Sequence, residues 1–159
     1  LEALKKSVQL FEYLSTRHPG KFDSDLAASL NNLGLRQSIS GYFETAQESA
    51  QKSADIYQKL THANPEEYAS MLAMNLGILG TILKEGGDSH KAKKAFRQGL
   101  ETIKTVFIKA PRENAKTVIL LLRDYAKVCK DLGNIPEMKM LKPILETLDR
   151  LKSDEDEKK

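Results

Sequence analysis

Ser29-Leu30-Asn31-Asn32-Leu33-Gly34 reads SLNNLG, two asparagines and a glycine inside a run whose apolar residues otherwise recur at helical spacing. Glycine costs about 1 kcal/mol relative to alanine in a helix interior, and asparagine is a mediocre helix former. Something beyond local propensity must hold such a stretch helical. Part of it returns 46 residues later, where Leu76, Leu79 and Gly80 match Leu30, Leu33 and Gly34. The same spacing separates Pro19, Pro65 and Pro111, and again Gly41, Gly87 and Gly133. It also relates Phe22 to Tyr68, and Leu26 to Leu72 and Val118. Leu122 and Ala126 extend the Leu30 and Gly34 columns to a third copy, and Met138 follows Ala46 and Ala92. The chain is three copies of one unit preceded by half of another.

Each unit divides into two helical stretches. In the first, apolar residues fall on one face: Leu26, Leu30 and Leu33, then Leu72, Leu76, Leu79 and Leu83, then Val118, Leu122, Tyr125 and Cys129. Asn64-Pro65-Glu66-Glu67 offers a capping side chain, a first-turn proline and two acids at the positive helix end. Asp23 or Ser24 is placed to cap copy one. The breaks SGY (40–42), EGGD (85–88) and LGN (132–134) put glycine at helix C-termini. Second helices are expected at about 43–61, 89–108 and 135–152. Residues 1–16 match these, with Leu4, Val8, Leu10 and Leu14 falling on Ala50, Ala54, Ile56 and Leu60. No segment alternates as a strand. The expectation is an all-α domain over 1–152 of about seven helices, with repeats at about 19–62, 65–108 and 111–152. Pro143 should kink the last helix, and the charged tail 153–159 is expected to fray or be disordered.

Twenty-five basic and 22 acidic residues give a net charge of +3, too even for a nucleic-acid-binding domain. Without Trp, and with 6% aromatic residues, a base-stacking platform is also disfavoured. Cys129 is the only cysteine, which excludes an intrachain disulfide or a multi-cysteine metal site and suggests a reducing, cytoplasmic setting. It falls on a buried column and is expected in the core. No apolar run approaches the roughly 18 residues of a membrane span, and no signal peptide is visible. The chain begins at Leu1, already in helical pattern, and reads as a fragment of a longer polypeptide. His18, His62 and His90 share no column and no metal-ligand spacing. EGGD lacks the Lys-Ser/Thr of a phosphate loop. No catalytic constellation is found, so the expectation is no enzyme, no cofactor and no metal.

Leu33-Gly34…Gly41…Ala46 and Leu79-Gly80…Gly87…Ala92-x-x-x-Phe96 resemble the tetratricopeptide repeat, and Tyr125-Ala126…Gly133 does so in part, with Met138 in place of the alanine. The unit is longer than the usual 34 residues and looks like the extended variety of about 42–46. The resemblance implies a right-handed α-solenoid of antiparallel hairpins, whose first helices line a concave groove that takes a peptide or partner helix. By offset from Gly34, Gly80 and Ala126, it places Ala28, Asn31, Asn32, Leu35 and Ser38 in the groove. The second copy contributes Met74, Gly77, Ile78, Thr81 and Lys84, and the third Leu120, Arg123, Asp124, Lys127 and Lys130. Asn31 and Asn32 could read a peptide backbone. Arg123, Lys127 and Lys130 form a basic stripe able to take carboxylates. The implied partner mixes hydrophobic and acidic residues. Asn31 stands where chaperone-tail-binding members carry a lysine, and Gly77 and Ile78 follow, so that specificity is not expected.

The function expected is a non-catalytic protein-interaction scaffold. The alternative is a regulatory sensor or autoinhibitory array of a multidomain signalling ATPase or protease. A third reading is self-association through the 1–16 helix, whose Leu4, Val8, Phe11 and Leu14 lack a hairpin partner. Neither nucleic acid nor membrane is an expected partner.

Overall fold

The structure, a computed structural model, describes residues 1–156. It contains α1 (Glu2–Arg17), α2 (Asp23–Ile39), α3 (Phe43–Ala63), α4 (Pro65–Glu85), α5 (Ser89–Lys109), α6 (Pro111–Asp131) and α7 (Met138–Asp156), with no strand among the described residues. Each helix packs on the next, and α2, α4 and α6 also touch in series, as expected of a hairpin array. The 46-residue period is a structural period. No helix among the described residues is long and apolar enough to cross a membrane.

The three recurring glycines close the first helices in one geometry. Gly41, Gly87 and Gly133 have φ of 81°, 93° and 64°, a region that only glycine adopts freely. After each one, the N–H of the next residue reaches back five positions. Tyr42 donates to the Gln37 carbonyl (2.9 Å), Asp88 to Leu83 (2.8 Å) and Asn134 to Cys129 (2.8 Å). The glycines themselves donate to Ser38, Lys84 and Lys130. These are three copies of the Schellman ending.

The helix starts differ from expectation. The Asn64 side chain does not cap α4: its Nδ2 donates to Glu67 Oε2 at 2.7 Å instead. Nor do Asp23 and Ser24 cap α2, because the helix begins at Asp23 and Phe22 takes the cap position. Their value there is as acid and first-turn residue at the positive helix end. At α5 a side-chain cap does form: Asp88 Oδ1 accepts the Lys91 N–H at 2.9 Å. This bond and the Lys91 ammonium hold the Asp88 carboxyl below its ordinary pKa.

Small residues set how closely each hairpin closes. A Cβ on Gly34 would meet the Ala46 carbonyl at 3.0 Å and the Ala50 nitrogen at 3.2 Å, so α2 rides on the backbone of α3. A Cβ on Gly80 would lie 2.6 Å from the Phe96 ring, so the ring fills that space. The third hairpin departs from this. Ala46 and Ala92 are fully buried, but Met138 in their column is 55% exposed, and Ala126 in the glycine column is exposed too. Leu121 rather than the expected Leu122 carries the core contact of α6, and Leu122 is only half-buried. The cause lies in the connection. Pro136 keeps Ile135 out of helical conformation, so α7 starts at Met138 and not near 135. The α7 backbone then comes up against α5 as well as α6, whereas α3 and α5 keep apart. Met140, Leu141, Ile144 and Leu148 pin it to the core. Its helix runs through Pro143 and on to Asp156, four residues into the expected tail, and 157–159 lie outside the described residues. Cys129 is fully buried, as its column predicts.

The same connection is tied to α5 by charge. Arg97 donates to both carboxylate oxygens of Glu137 (2.8 and 3.0 Å), and those bonds hold the Glu137 pKa below its usual value. A carboxyl with a lowered folded pKa contributes stability above its unfolded value, and that contribution fades as pH falls through the folded one. Glu137→Gln is therefore expected to unfold at lower urea than the parent at neutral pH. The gap should narrow as pH falls below the ordinary glutamate range and close only once pH has passed the lowered folded pKa, where the parent's carboxyl is protonated as well. A gap that persists in acid would assign the loss to shape and not charge.

Candidate functional site

Seven of the groove residues named from sequence converge. Met74, Ile78 and Thr81 of α4 face Arg123 of α6 across a cleft of about 450 Å³, with Gly77, Leu120 and Asp124 beside them. Four cleft residues are not among those expected from sequence: Lys116 and Thr117 lie one helical turn before Leu120, Glu113 one turn earlier still, and Leu121 follows Leu120. Met74 is 52% exposed and Leu120 41%, so the lining presents apolar surface to solvent. Thr81 is turned onto its own helix, its hydroxyl donating to the Gly77 carbonyl (3.1 Å). Arg123 donates to Asp124 at 2.9 Å, which keeps its guanidinium on the cleft and raises its pKa.

A second depression, between α3 and α5, offers less. Its floor is Leu72, Leu76, Leu79 and Leu83, all closed off from solvent, under a rim that includes Gln47, Gln51, Gln58 and Gln98.

The other candidates are placed elsewhere. Asn32 and Leu35 are exposed on α2, and Lys127 and Lys130 on α6, outside the cleft. Ser38 is buried and donates to Glu85 Oε2 at 2.8 Å, and Lys84 pairs with Asp131 at 3.1 Å. These two contacts occupy one register, since Lys84 follows Ser38 by 46 residues and Asp131 follows Glu85 by the same number. Both link one first helix to the next.

Asn31 has a structural partner. Asn75 Nδ2 donates to Asn31 Oδ1 (2.8 Å) and to Ser53 Oγ (2.9 Å), and Ser53 in turn donates to the Ala27 carbonyl (2.6 Å). Asn75 is 1% exposed, and its own Oδ1 has no partner among the described residues. The three side chains join α2, α3 and α4. In the next layer the same columns hold Gly77, Gly99 and Leu121, and Leu121 Cδ2 fits where a Cβ on Gly77 or Gly99 would come within 3.0 or 3.1 Å of it. In the first layer the hydroxyls of Ser7 and Ser29 lie 3.1 Å apart. One position in the array is thus filled by a serine pair, by a Ser-Asn-Asn network and by a leucine between two glycines. Asn75 was missed because its partner is 44 residues away. The only sequence signal was that the three columns change together.

His18, His62 and His90 are all exposed, and no group of three or more His, Cys, Asp or Glu among the described residues is placed to hold a metal. No protein-family model and no curated protein matches the sequence.

Proposed function

We propose that this chain is a non-catalytic, tetratricopeptide-type interaction module that works inside the cell and binds an extended or helical segment of a partner protein in the cleft between α4 and α6. The observation that carries this is the exposed apolar pair Met74 and Leu120, facing each other across a concavity edged by Lys116 and Arg123. Side chains that are costly to leave in water, gathered in a concave site with a few polar groups, are what a recognition site needs. Lys116 and Arg123 can take acidic residues beside the apolar anchors, against the two acids Glu113 and Asp124 of the same lining, so the apolar pair carries most of the selection.

A displayed library of random peptides tests it directly. Selection is expected to enrich sequences combining apolar and acidic residues. Met74→Glu or Arg123→Glu should weaken the selected peptides by about tenfold or more, with helicity unchanged. Peptides that ignore both substitutions, or no enrichment at all, would remove the cleft as the binding site.

A further inference from the structure

The array carries a second open surface, on the side of α6 that faces away from α4. On α4 the equivalent side is covered. Ala73 is fully buried, Gly80 is sealed by Phe96, Gly77 by Leu121, and Lys84 is taken by Asp131 of α6. Moving 46 residues on, the same side of α6 presents Ile119, Leu122, Arg123, Ala126 and Lys130. Ile119 is 50% exposed where Ala73 is 0%. Ala126 is exposed because α7 has leaned towards α5, and Leu122 is half-buried for the same reason.

The charges say what fits there. The column of Ser38, Lys84 and Lys130 meets an acid on the following first helix each time that helix is present: Glu85 for Ser38 and Asp131 for Lys84. Lys130 stands in the same place, and among the described residues neither it nor Lys116 has an ion-pair partner. Ile119, Leu122 and Ala126 are three and four residues apart and form one apolar strip. The cations Lys116, Arg123 and Lys130 border it along one side.

We propose that this face is a docking surface for a partner's amphipathic helix, its apolar seam on the strip that α5 covers on α4 and its acidic residues against Lys130, where Asp131 of α6 meets Lys84 on α4. On α4 the strip lies under α5 and Lys84 is met by α6, and the partner helix takes the place of both on α6. This face is independent of the α4/α6 cleft, with which it shares only the edge residues Lys116 and Arg123. Lateral packing of a helix into an apolar groove, with register set by bordering charges, is a recurring mode of recognition.

The probe is a synthetic 21-residue helix with leucines along one face bordered by glutamates, and a second in which lysines replace the glutamates. Fluorescence anisotropy with the intact chain is expected to show saturable binding of the glutamate helix, and of the lysine helix at least about tenfold more weakly. Ile119→Asp should weaken the glutamate helix about tenfold. Lys130→Glu should weaken it about threefold and strengthen the lysine helix, because the charge pair is then exchanged. Reversing Lys5 and Lys6 on the distant α1 should change neither. Equal binding of the two helices, or loss on Met74→Asp with none on Ile119→Asp, would overturn the proposal. So would a concentration-dependent mass in light scattering that Ile119→Asp abolishes, since a second copy would then be the occupant. Circular dichroism of each variant confirms that the array is intact.

Discussion

Gly80→Ala is expected to lower stability by about 1–2 kcal/mol, although alanine is the better helix former by about 1 kcal/mol. The added Cβ would lie 2.6 Å from the edge of Phe96 and 2.8 Å from two further ring atoms. Phe96 is 1% exposed and boxed in by the core, so the ring cannot swing away without opening space elsewhere. Overpacking of this kind costs roughly 1–3 kcal/mol and outweighs the gain in propensity. Gly34→Ala should also destabilise, since its Cβ meets the carbonyl of Ala46 and the nitrogen of Ala50, backbone atoms that move only if α2 and α3 separate. Gly77→Ala is the comparison. Its contact is the far end of Leu121 at 3.0 Å, a side chain held at 3.1 Å by the Gly99 position too, so a loss is expected, smaller than that of Gly80→Ala because one side-chain tip and not a ring must shift. Urea unfolding followed by helicity ranks the three. If Gly80→Ala unfolds no earlier than the parent, the ring has room that this packing denies it. Ala126→Phe completes the series: in the open third hairpin the position is exposed, and a large side chain there should cost little.

The contrast between Gly80 and Ala126 also marks where sequence reading succeeds. Features fixed by the chain's own backbone repeat in the sequence and were legible: the 46-residue period, the glycine endings at 41, 87 and 133, and the apolar face of α4. A left-handed residue after a helix demands glycine wherever it occurs. Features fixed by a distant partner were not. Whether Asn64 caps α4 depends on how its carboxamide turns, and here its Nδ2 is turned to the Glu67 carboxylate while its oxygen makes no cap. The lean of α7 depends on Pro136 and on what α5 offers it, and nothing local distinguishes Met138 from a lengthened alanine. Of the groove, Met74, Gly77, Ile78 and Thr81 of copy two and Leu120, Arg123 and Asp124 of copy three come together at one cleft, Lys84, Lys127 and Lys130 lie outside it, and Asn31 and Ser38 are bonded to Asn75 and Glu85. A helical position that reads as solvent-facing from periodicity alone becomes an interface once another helix is laid on it.

Asn75 allows the sharpest test of that point. Asn75→Leu alone is expected to cost about 2–4 kcal/mol. It deletes two hydrogen bonds, leaves the carboxamide oxygen of Asn31 without its donor, and drives a branched chain between Ser53 and Asn31, which have no space for it. Gly77, Gly99 and Leu121 show what a leucine needs at this junction. The triple change Asn31→Gly, Ser53→Gly, Asn75→Leu transplants the third-layer solution into the second. Each glycine costs about 0.5–1 kcal/mol in helix propensity, so the triple variant will not reach the parent's stability. It is nonetheless expected to be more stable than the sum of its parts by about 1.5 kcal/mol or more, the signature of groups that act as one unit. Urea unfolding of the parent, the three single variants and the triple measures that coupling. Additive losses would mean that the junctions are not interchangeable and that Asn75 is held by something other than the two side chains it touches. A large coupling would mean that the array distinguishes its layers by what fills this one position. A register slip of one repeat would then set Leu121 against Asn31 and Ser53, or Asn75 between two glycines, and both pairings lose contacts that the native order satisfies.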